Sequence, residues 1–514
     1  MFARNRSRFT HELRASLHTV SALSLVALSN AAYLPSIGYA QVPAAPVINP
    51  QSRPAAISPS DRTDPVDRTD PINRTDPIAP NTTLNTPADT TSNTASPAAL
   101  SDSPSWTNSA PLGSSPAPAA SSTSFSPAND SLFPALALQR QQLADTGLTF
   151  QNNLTQFYFG NTAGGAEQEF RYAGHGDYLA NFDFGKMIGT PGAFLKVRAE
   201  HRFGETINDA AGVLMPPTVA GDLPVLDSTN LYLTNVLFTQ ALSESFVLYT
   251  GKLDTLDGDM NAFAHGRGIR QFSNSAFVAN PIALRTIPYS TLGAGMAWLL
   301  EGEPWLVFNV LNATDTTRTA GFDELFNDGV ALASEMRIPT NFFGKPGHQL
   351  FAGTWNSRDF TALDQDPRII LPNVPIAKKS GSWSLYWNCD QYLVTDAANP
   401  KRGWGYFSRA GIADQGTNPV GYFLSSGIGG SSPMQSRERD SFGIGYYFIN
   451  TSDEIAPFLS TVFGGIGDGQ GVEMFYNIAT GKRLTITPDM QVLNPSRENL
   501  DTALVVGLRA NYNF

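Results

Sequence analysis

Hydrophobic and polar residues alternate along much of the chain, and the alternation is clearest in the segment that ends it. Within residues 501–514, one set of alternate positions is mostly apolar and the other is mostly polar. The apolar set is Leu504, Val506, Leu508, Ala510, Tyr512 and Phe514, and the polar set is Gly507, Arg509, Asn511 and Asn513. Because successive strand side chains point to opposite sides of a sheet, the segment predicts a strand with one apolar and one polar face.

The same period of two recurs upstream, where charged residues share one face of several predicted strands. The polar face holds Lys196, Arg198, Glu200 and Arg202 in one segment, Thr250, Lys252 and Asp254 in another, Glu335 and Arg337 in a third, and Arg409 in a fourth. In a soluble sandwich this face would meet bulk water, whereas in a membrane barrel it would line a watery lumen and the apolar face would meet lipid. Alternation alone fits both architectures.

Three further features favour the membrane barrel. Residues 1–40 have the pattern of an export signal, with a basic front, an apolar stretch at residues 20–32 and small residues before Gln41. An organellar transit peptide is the competing interpretation of residues 1–40. The second feature is the closing strand, which ends on the aromatic residue Phe514. Barrels also carry aromatic girdles at the membrane interfaces, and suitable residues include Tyr249, Tyr406 and Tyr512.

Residues 41–130 differ from the rest, because Pro, Ala, Ser, Thr, Asn and Asp dominate and Trp106 and Phe125 are the only aromatics. A six-residue repeat occupies residues 61–66, 67–72 and 73–78. Such a composition buries too little apolar surface to offset its ordering entropy. The segment therefore predicts a disordered, proline-stiffened tether. Docking of the repeat onto a partner in the cell envelope is the alternative.

Residues 131–514 form the predicted barrel domain. Good helix formers over residues 136–145, followed by Gly147, predict a short helix ahead of the first strand. The remaining length, about 365 residues, suits about 16 strands at roughly 23 residues for each strand and its connection. The predicted fold class is all-β, a transmembrane antiparallel barrel preceded by a short helix and a disordered segment.

Composition and charge argue against several other classes. The formal net charge of −11 disfavours a nucleic-acid partner, which would favour a basic surface. No apolar run long enough for a membrane helix follows the N-terminus. The single cysteine, Cys389, excludes an intramolecular disulfide and a cysteine-based zinc cluster. Asp254, Asp257 and Asp259 are spaced like calcium ligands, but no Glu follows at the twelfth position, which favours a loop turn over a metal site.

The sequence also lacks the common catalytic signatures. Neither G-x-S-x-G nor H-E-x-x-H occurs, and the six histidines are scattered. We therefore predict no enzyme activity, no cofactor and no metal. A serine, histidine and acid set that is assembled only in space, as in membrane phospholipases, is the alternative.

Several segments resemble the carbohydrate-selective porin (OprB) family of bacterial outer membranes. They are residues 143–150, 182–186, 251–259, 402–411, 441–447 and 484–495, and their order and spacing carry the resemblance. The resemblance implies a barrel of about 16 strands with a short N-terminal helix and a narrow pore for monosaccharides and related solutes. The tether has no counterpart in the family pattern. The approach to the closing strand is also altered at residues 471–482, which leaves the preferred solute open.

The predicted function is passive, sugar-preferring diffusion through the outer membrane, with small carbohydrates and membrane lipid as partners. Selectivity arises from the diameter, charge and hydrogen-bonding groups of a constriction. The candidate constriction residues are Arg198, Glu200, Arg202, Lys252, Asp254, Glu335, Arg337 and Arg409. The alternative for each residue is that it pairs with neighbours and keeps the lumen hydrated. For the whole protein, the alternatives are a general or differently selective porin, a secreted glycan-binding β-protein and an outer-membrane enzyme.

Overall fold

The computed structural model describes residues 134–366, 368, 374–396, 399, 402–455, 460 and 464–514. The expected export signal (1–40) and tether (41–130) lie outside the described residues. The described chain begins with helix α1 (Pro134–Asp145), which confirms the helix predicted over residues 136–145. The helix ends where the amide of Gly147 donates to the carbonyl of Ala144. Gly147 has a φ of 102°, a conformation that glycine adopts at little cost.

Sixteen strands follow α1 and close into one antiparallel barrel. They are β1 (Leu148–Ala163), β2 (Phe170–Asp183), β3 (Ala193–Gly204), β4 (Tyr232–Ser243), β5 (Phe246–Asp254), β6 (Ser290–Leu300), β7 (Glu303–Asn312), β8 (Val330–Phe342), β9 (Lys345–Thr361), β10 (Lys378–Thr395), β11 (Gly403–Ala413), β12 (Val420–Ser431), β13 (Ser441–Thr451), β14 (Gly469–Ala479), β15 (Leu484–Asn494) and β16 (Ala503–Asn513). Each strand pairs with its neighbours in sequence, and β1 pairs with β16 to close the barrel. The predicted fold class is confirmed.

Short helical turns lie in the connections between strands. They are Phe184–Ile188, Asn208–Ala211, Ala220–Asp222, Thr255–Asp257, Gly266–Gly268, Ser275–Val278 and Ala283–Arg285. In the part of the chain that the structure describes, no helix is both long and apolar enough to cross a bilayer.

The connections differ in length between the two ends of the barrel. The end that carries α1 and the end of β16 has tight turns, such as residues 301–302 and 343–344. The other end has long loops, including residues 205–231, 255–289 and 313–329. Outer-membrane barrels have short periplasmic turns and longer extracellular loops. The end with α1 is therefore the periplasmic end.

The closing strand has the facing that its alternation predicts. Leu508 is 49% exposed on the outer surface, whereas Arg509 is 1% exposed and points inward. Their cross-strand partners behave in the same way, because Tyr158 opposite Leu508 is exposed and Phe157 opposite Arg509 is buried. One face of the strand thus meets lipid and the other meets the barrel interior.

Strand β5 departs from its predicted facing. Tyr249 was expected in an outer girdle opposite Thr250 and Lys252. Instead Tyr249 is buried and donates a hydrogen bond to Asn309 Oδ1 at 2.5 Å, while Thr250 is exposed. The reason is that an apolar cluster fills the interior beside β4–β8, formed by Leu237, Val247, Tyr249, Leu253, Ala297, Val307, Leu311 and Ala331. Period two identifies two faces, but which face points inward depends on what fills the lumen.

Candidate functional site

The connection between β5 and β6, residues 255–289, folds into the barrel, and we call it the lumen loop. Its polar contacts reach Glu200 on β3, Arg409 on β11 and Glu473 on β14. These strands lie on different sides of a closed sixteen-strand barrel. The loop therefore crosses the interior rather than following one wall.

On the β3 side, a buried group of charged side chains holds the loop, and we call it the anchor cluster: Lys196, Arg198, Glu200, Asp254, Asp257 and Arg267. Arg267 is its central member within the loop. The Arg267 guanidinium donates to Glu200 Oε1 at 2.8 Å and to Asp257 Oδ1 at 2.9 Å, and it lies 2.9 Å from Asp254 Oδ2. One loop side chain thus contacts three carboxylates.

The barrel wall supplies the other cations of the anchor cluster. From β3, Arg198 donates to Asp254 Oδ2 at 2.9 Å and to Asp257 Oδ1 at 2.8 Å. Lys196 donates to Asp257 Oδ2 at 2.5 Å. Asp177 on β2 also lies beside this group, with its Oδ1 3.2 Å from Arg198 Nε, so every cation of the anchor cluster has at least one carboxylate partner. A buried ion pair is retained only when such partners compensate its loss of hydration.

The pKa shifts of the loop members show that pairing outweighs burial. Burial alone would raise the pKa of Asp257, but its cationic neighbours, Arg198 foremost, hold that pKa below its ordinary value. Burial alone would lower the pKa of Arg267, but the carboxylates around it, Asp254 foremost, keep that pKa well above its ordinary value. Both groups are therefore ionised at neutral pH. The attraction of Asp257 to Arg198 and of Arg267 to Glu200 fixes the loop to the wall.

On the other side of the lumen, Asp259 of the loop is held by β8, β10 and β11. Arg409 Nε donates to Asp259 Oδ2 at 2.8 Å, and Asn388 Nδ2 donates to Asp259 Oδ1 at 2.7 Å. The amide of Asp259 donates to Glu335 Oε1 at 3.1 Å. Arg409 is fully buried and also donates to the carbonyl of Ala264 at 2.6 Å. Its guanidinium is therefore directed at the loop.

Aromatic packing secures the far end of the lumen loop. The rings of Phe272 and Phe277 have centroids 4.6 Å apart. Phe272 also lies 5.3 Å from Phe407 on β11 and 4.9 Å from Phe475 on β14. Phe272 and Phe277 are fully buried, and aromatic pairs in such contacts stabilise beyond the area they bury. The inner face of the barrel is thus apolar where it receives the loop.

A second loop, residues 205–231, also turns inward. Arg202 on β3 donates through Nε to the carbonyl of Gly221 at 2.8 Å and through a terminal nitrogen to the carbonyl of Leu226. The two loops meet where Ser273 Oγ donates to the carbonyl of Pro217 at 2.9 Å. Both loops therefore enter the barrel interior and contact each other there.

Residues 167–514 match the model of the carbohydrate-selective porin, OprB family. The match covers more than half of the chain. The chain belongs to this family. It is a porin of the bacterial outer membrane, and its family and fold are those of channels rather than enzymes.

Individual relatives of this porin are distant. Porin B of Pseudomonas aeruginosa is 25% identical over 154 residues, a stretch that covers 27% of this chain and 34% of Porin B. The match thus spans about a third of that relative. The high-pH structure of Pseudomonas putida OprB superposes with a TM-score of 0.61 at 18% identity, covering 73% of this chain and 96% of the other. This likeness supports the fold.

The structure of this porin distributes the predicted constriction residues among different roles. Arg198, Glu200 and Asp254 come together in the anchor cluster, Glu335 and Arg409 hold the lumen loop at Asp259, and Arg202 binds the 205–231 loop. Arg337 lies apart from these groups. It donates to Glu303 Oε2 at 3.0 Å and is 3.7 Å from Asp390 Oδ2.

Lys252 takes a different position from the other predicted residues. Its neighbour Leu253 belongs to the apolar cluster inside the barrel, so Lys252 faces away from the lumen. Its ammonium donates to the carbonyls of Thr316 and Thr319 in the 313–329 loop, each at 2.7 Å. We therefore leave Lys252 out of the proposed constriction.

The three aspartates with calcium-like spacing have separate partners. Asp254 and Asp257 are paired within the anchor cluster, and Asp259 is paired with Arg409. Within the described ranges, no group of three or more His, Cys, Asp or Glu side chains is placed to hold a metal ion.

Two arginines of the lumen loop were missed from the sequence. Arg267 is the central cation of the anchor cluster. Arg270 is exposed and lies close enough to Asp177 and Arg267 to interact with their charges. The backbone carbonyl of Arg270 accepts a hydrogen bond from Asn477 Nδ2 at 2.7 Å. The length of the connection at residues 255–289 could have indicated these two arginines, because a long connection without strand alternation is commonly functional.

Proposed function

We propose that this porin conducts small carbohydrates by passive diffusion along a path narrowed by the lumen loop. The observation that supports this proposal is the loop itself, a charged segment that is fixed across the barrel and includes the exposed residue Arg270. Pore selectivity depends on the width and the hydrogen-bonding groups of the narrowest level. A loop that is held by buried ion pairs sets that width reproducibly.

The proposed selectivity follows from the chemistry of sugars. A sugar is neutral and carries many hydroxyls, so arginines donate to them and carboxylates accept from them. We assign contact with solute to Arg270, which is exposed, and to Arg337, which is partly exposed. We assign positioning of the loop to the buried Arg198, Glu200, Asp254 and Arg409. Several weak contacts let a sugar enter and leave, and no cofactor or covalent step is needed.

The N-terminal segments complete the proposal. We propose that residues 1–40 direct export and that residues 41–130 form a disordered tether that precedes the barrel in sequence. The composition of residues 41–130, rich in Pro, Ser and Thr, supports a tether. The repeat at residues 61–78 is then available to a partner in the cell envelope.

Solute influx into vesicles tests the proposal. We expect liposomes that contain the porin to swell faster in monosaccharides than in oligoethylene glycols of equal size, because only the sugars present several donors and acceptors together. Replacing Arg270 with alanine is expected to reduce this preference about twofold to fivefold. This factor corresponds to the loss of roughly 0.5–1 kcal/mol of hydrogen bonding to the sugar.

Arg439→Ala is the matched control, because Arg439 is an exposed arginine on the periplasmic turn between β12 and β13. It should retain the sugar preference of the native chain. Equal swelling in sugars and glycols by the native porin would favour a general porin. A preserved preference in Arg270→Ala would move the sugar contact away from Arg270.

A further inference from the structure

Three side chains of the barrel wall are buried although they face away from the lumen. Lys252, Leu292 and Asn312 stand near the extracellular ends of β5, β6 and β7. The residues beside two of them, Leu253 and Leu311, belong to the apolar cluster inside the barrel. Since alternate strand side chains point to opposite faces, another segment must cover this part of the outer wall.

The covering segment is the connection between β7 and β8, residues 313–329, which we call the rim loop. Lys252 Nζ donates to the carbonyls of Thr316 and Thr319, each at 2.7 Å. Gly321 lies against Leu292, where a Cβ at residue 321 would come within 3.1 Å of Leu292 Cγ. The rim loop thus folds back over the outside of the barrel.

The outermost part of the rim loop is an amphipathic turn. Amide-to-carbonyl hydrogen bonds link residues three apart along residues 321–329. Spacings of three and four residues place Phe322, Leu325 and Phe326 on one side of such a turn, and these side chains are 73%, 38% and 45% exposed. The intervening positions carry Asp323, Glu324, Asn327 and Asp328.

The turn is fixed to the barrel wall. Phe326 has a φ of 59°, a left-handed conformation that bulky residues rarely adopt. Its amide donates to Oδ1 of the buried Asn312 at 2.7 Å. A conformation of this kind persists only where its surroundings determine it. The barrel wall therefore holds the exposed apolar side of the turn in a defined position.

We propose that the rim loop anchors the porin in the outer leaflet, with Phe322, Leu325 and Phe326 inserted at the boundary between headgroups and acyl chains. The apolar side of the turn continues the lipid-facing wall. The rim loop covers Lys252, whose cross-strand partner on the outer face of β4 is Val236. Leu233, nearer the extracellular end of β4, is 53% exposed. Lys252, Leu292 and Asn312, which the rim loop covers, lie within two residues of the ends of their strands. The rim loop therefore lies at the depth of the membrane interface. Aromatic residues partition to that depth, and acidic residues on the other side stay in water.

Site-directed spin labelling tests this proposal on the full chain. A nitroxide is attached at Phe322→Cys in a Cys389→Ala background, since Cys389 is the only native cysteine. The protein is reconstituted in phosphatidylcholine vesicles, and collisions with oxygen, which concentrates in lipid, are compared with collisions with a water-soluble nickel complex. The oxygen-to-nickel ratio is expected to be several-fold higher at position 322 than at Asn327→Cys, the matched control on the acidic side of the turn. Leu325→Cys provides a second reporting position, and heat-modifiable electrophoretic mobility verifies that each variant is folded.

Two results would overturn the proposal. A nickel-dominated ratio at positions 322 and 325, equal to that at 327, would place the whole turn in water. Low accessibility to both reagents, with spin–spin broadening that disappears when unlabelled porin is added, would make a second copy of this chain the occupant of the surface. An oxygen-dominated ratio at 322 and 325 with a nickel-dominated ratio at 327 supports the membrane anchor.

Discussion

Replacing Arg267 with alanine is expected to raise the single-channel conductance while leaving the barrel folded. Arg267 is the loop side chain that contacts Glu200, Asp254 and Asp257 in the anchor cluster. Its loss leaves buried carboxylates short of positive charge, and breaking a buried ion pair in this way costs about 3–5 kcal/mol. The inter-strand hydrogen bonds do not depend on Arg267. The cost therefore falls on the position of the lumen loop, which moves away from β3 and widens the path.

Planar-bilayer recordings measure this effect, and heat-modifiable electrophoretic mobility shows that the barrel has assembled. Arg368→Ala is the control, because Arg368 forms an exposed pair with Asp366, and exposed pairs contribute little. Arg267→Lys should fall between the native chain and Arg267→Ala, since lysine keeps the charge but lacks the planar fork of donors. Native conductance in a folded Arg267→Ala barrel would show that the lumen loop does not limit the current.

Replacing Phe272 with alanine is expected to lower the free energy of opening the lumen loop by about 3–5 kcal/mol. The Phe272 ring is fully buried and packs on Phe277, Phe407 and Phe475. Truncation leaves a cavity that the surrounding strands cannot close, because their positions are fixed by the barrel. Hydrogen exchange of the amides in residues 255–289 measures the change.

Phe343→Ala is the control for the loss of a phenyl ring. Phe343 is 96% exposed on the turn between β8 and β9, so its removal should change stability by about 1 kcal/mol or less. If exchange in the lumen loop accelerates equally in both variants, or in neither, the aromatic cluster does not hold the loop in place.

The barrel could be predicted from the sequence because its determinants are local. Strand alternation depends on adjacent residues, so Leu508 and Arg509 were assigned to the correct faces without knowledge of their neighbours. The helix at α1 was predictable for the same reason, since helix formers and the following Gly147 are consecutive in sequence. The number of strands followed from length, because a strand and its connection occupy a limited number of residues.

The candidate site was only partly predictable because its contacts are distant in sequence. The inward facing of Arg198 and Glu200 followed from alternation, but their partner Arg267 lies in a loop with no period. Asp259 and Arg409 meet across 150 positions. The facing of β5 was wrong because apolar side chains fill the lumen there, so Tyr249 points inward and Thr250 outward. Alternation could not reveal that two loops turn back into the barrel.

The role of the lumen loop also changes how inward charges are interpreted. Arg198 and Arg409 were candidates for the constriction, with pairing to neighbours as the alternative for each residue. In the structure both side chains are buried and directed at the loop. A sugar moving through the barrel would therefore meet the surface that these residues position, including the exposed Arg270.

Recording the current through single channels while sugars are added shows whether a water-filled path runs past the lumen loop and whether sugars occupy that path transiently. We predict that monosaccharides reduce the ionic current in a saturable manner, that oligoethylene glycols of equal size reduce it less, and that Arg267→Ala weakens the block. A current that no sugar alters, at any concentration that preserves the bilayer, would show that sugars do not occupy the path beside the lumen loop.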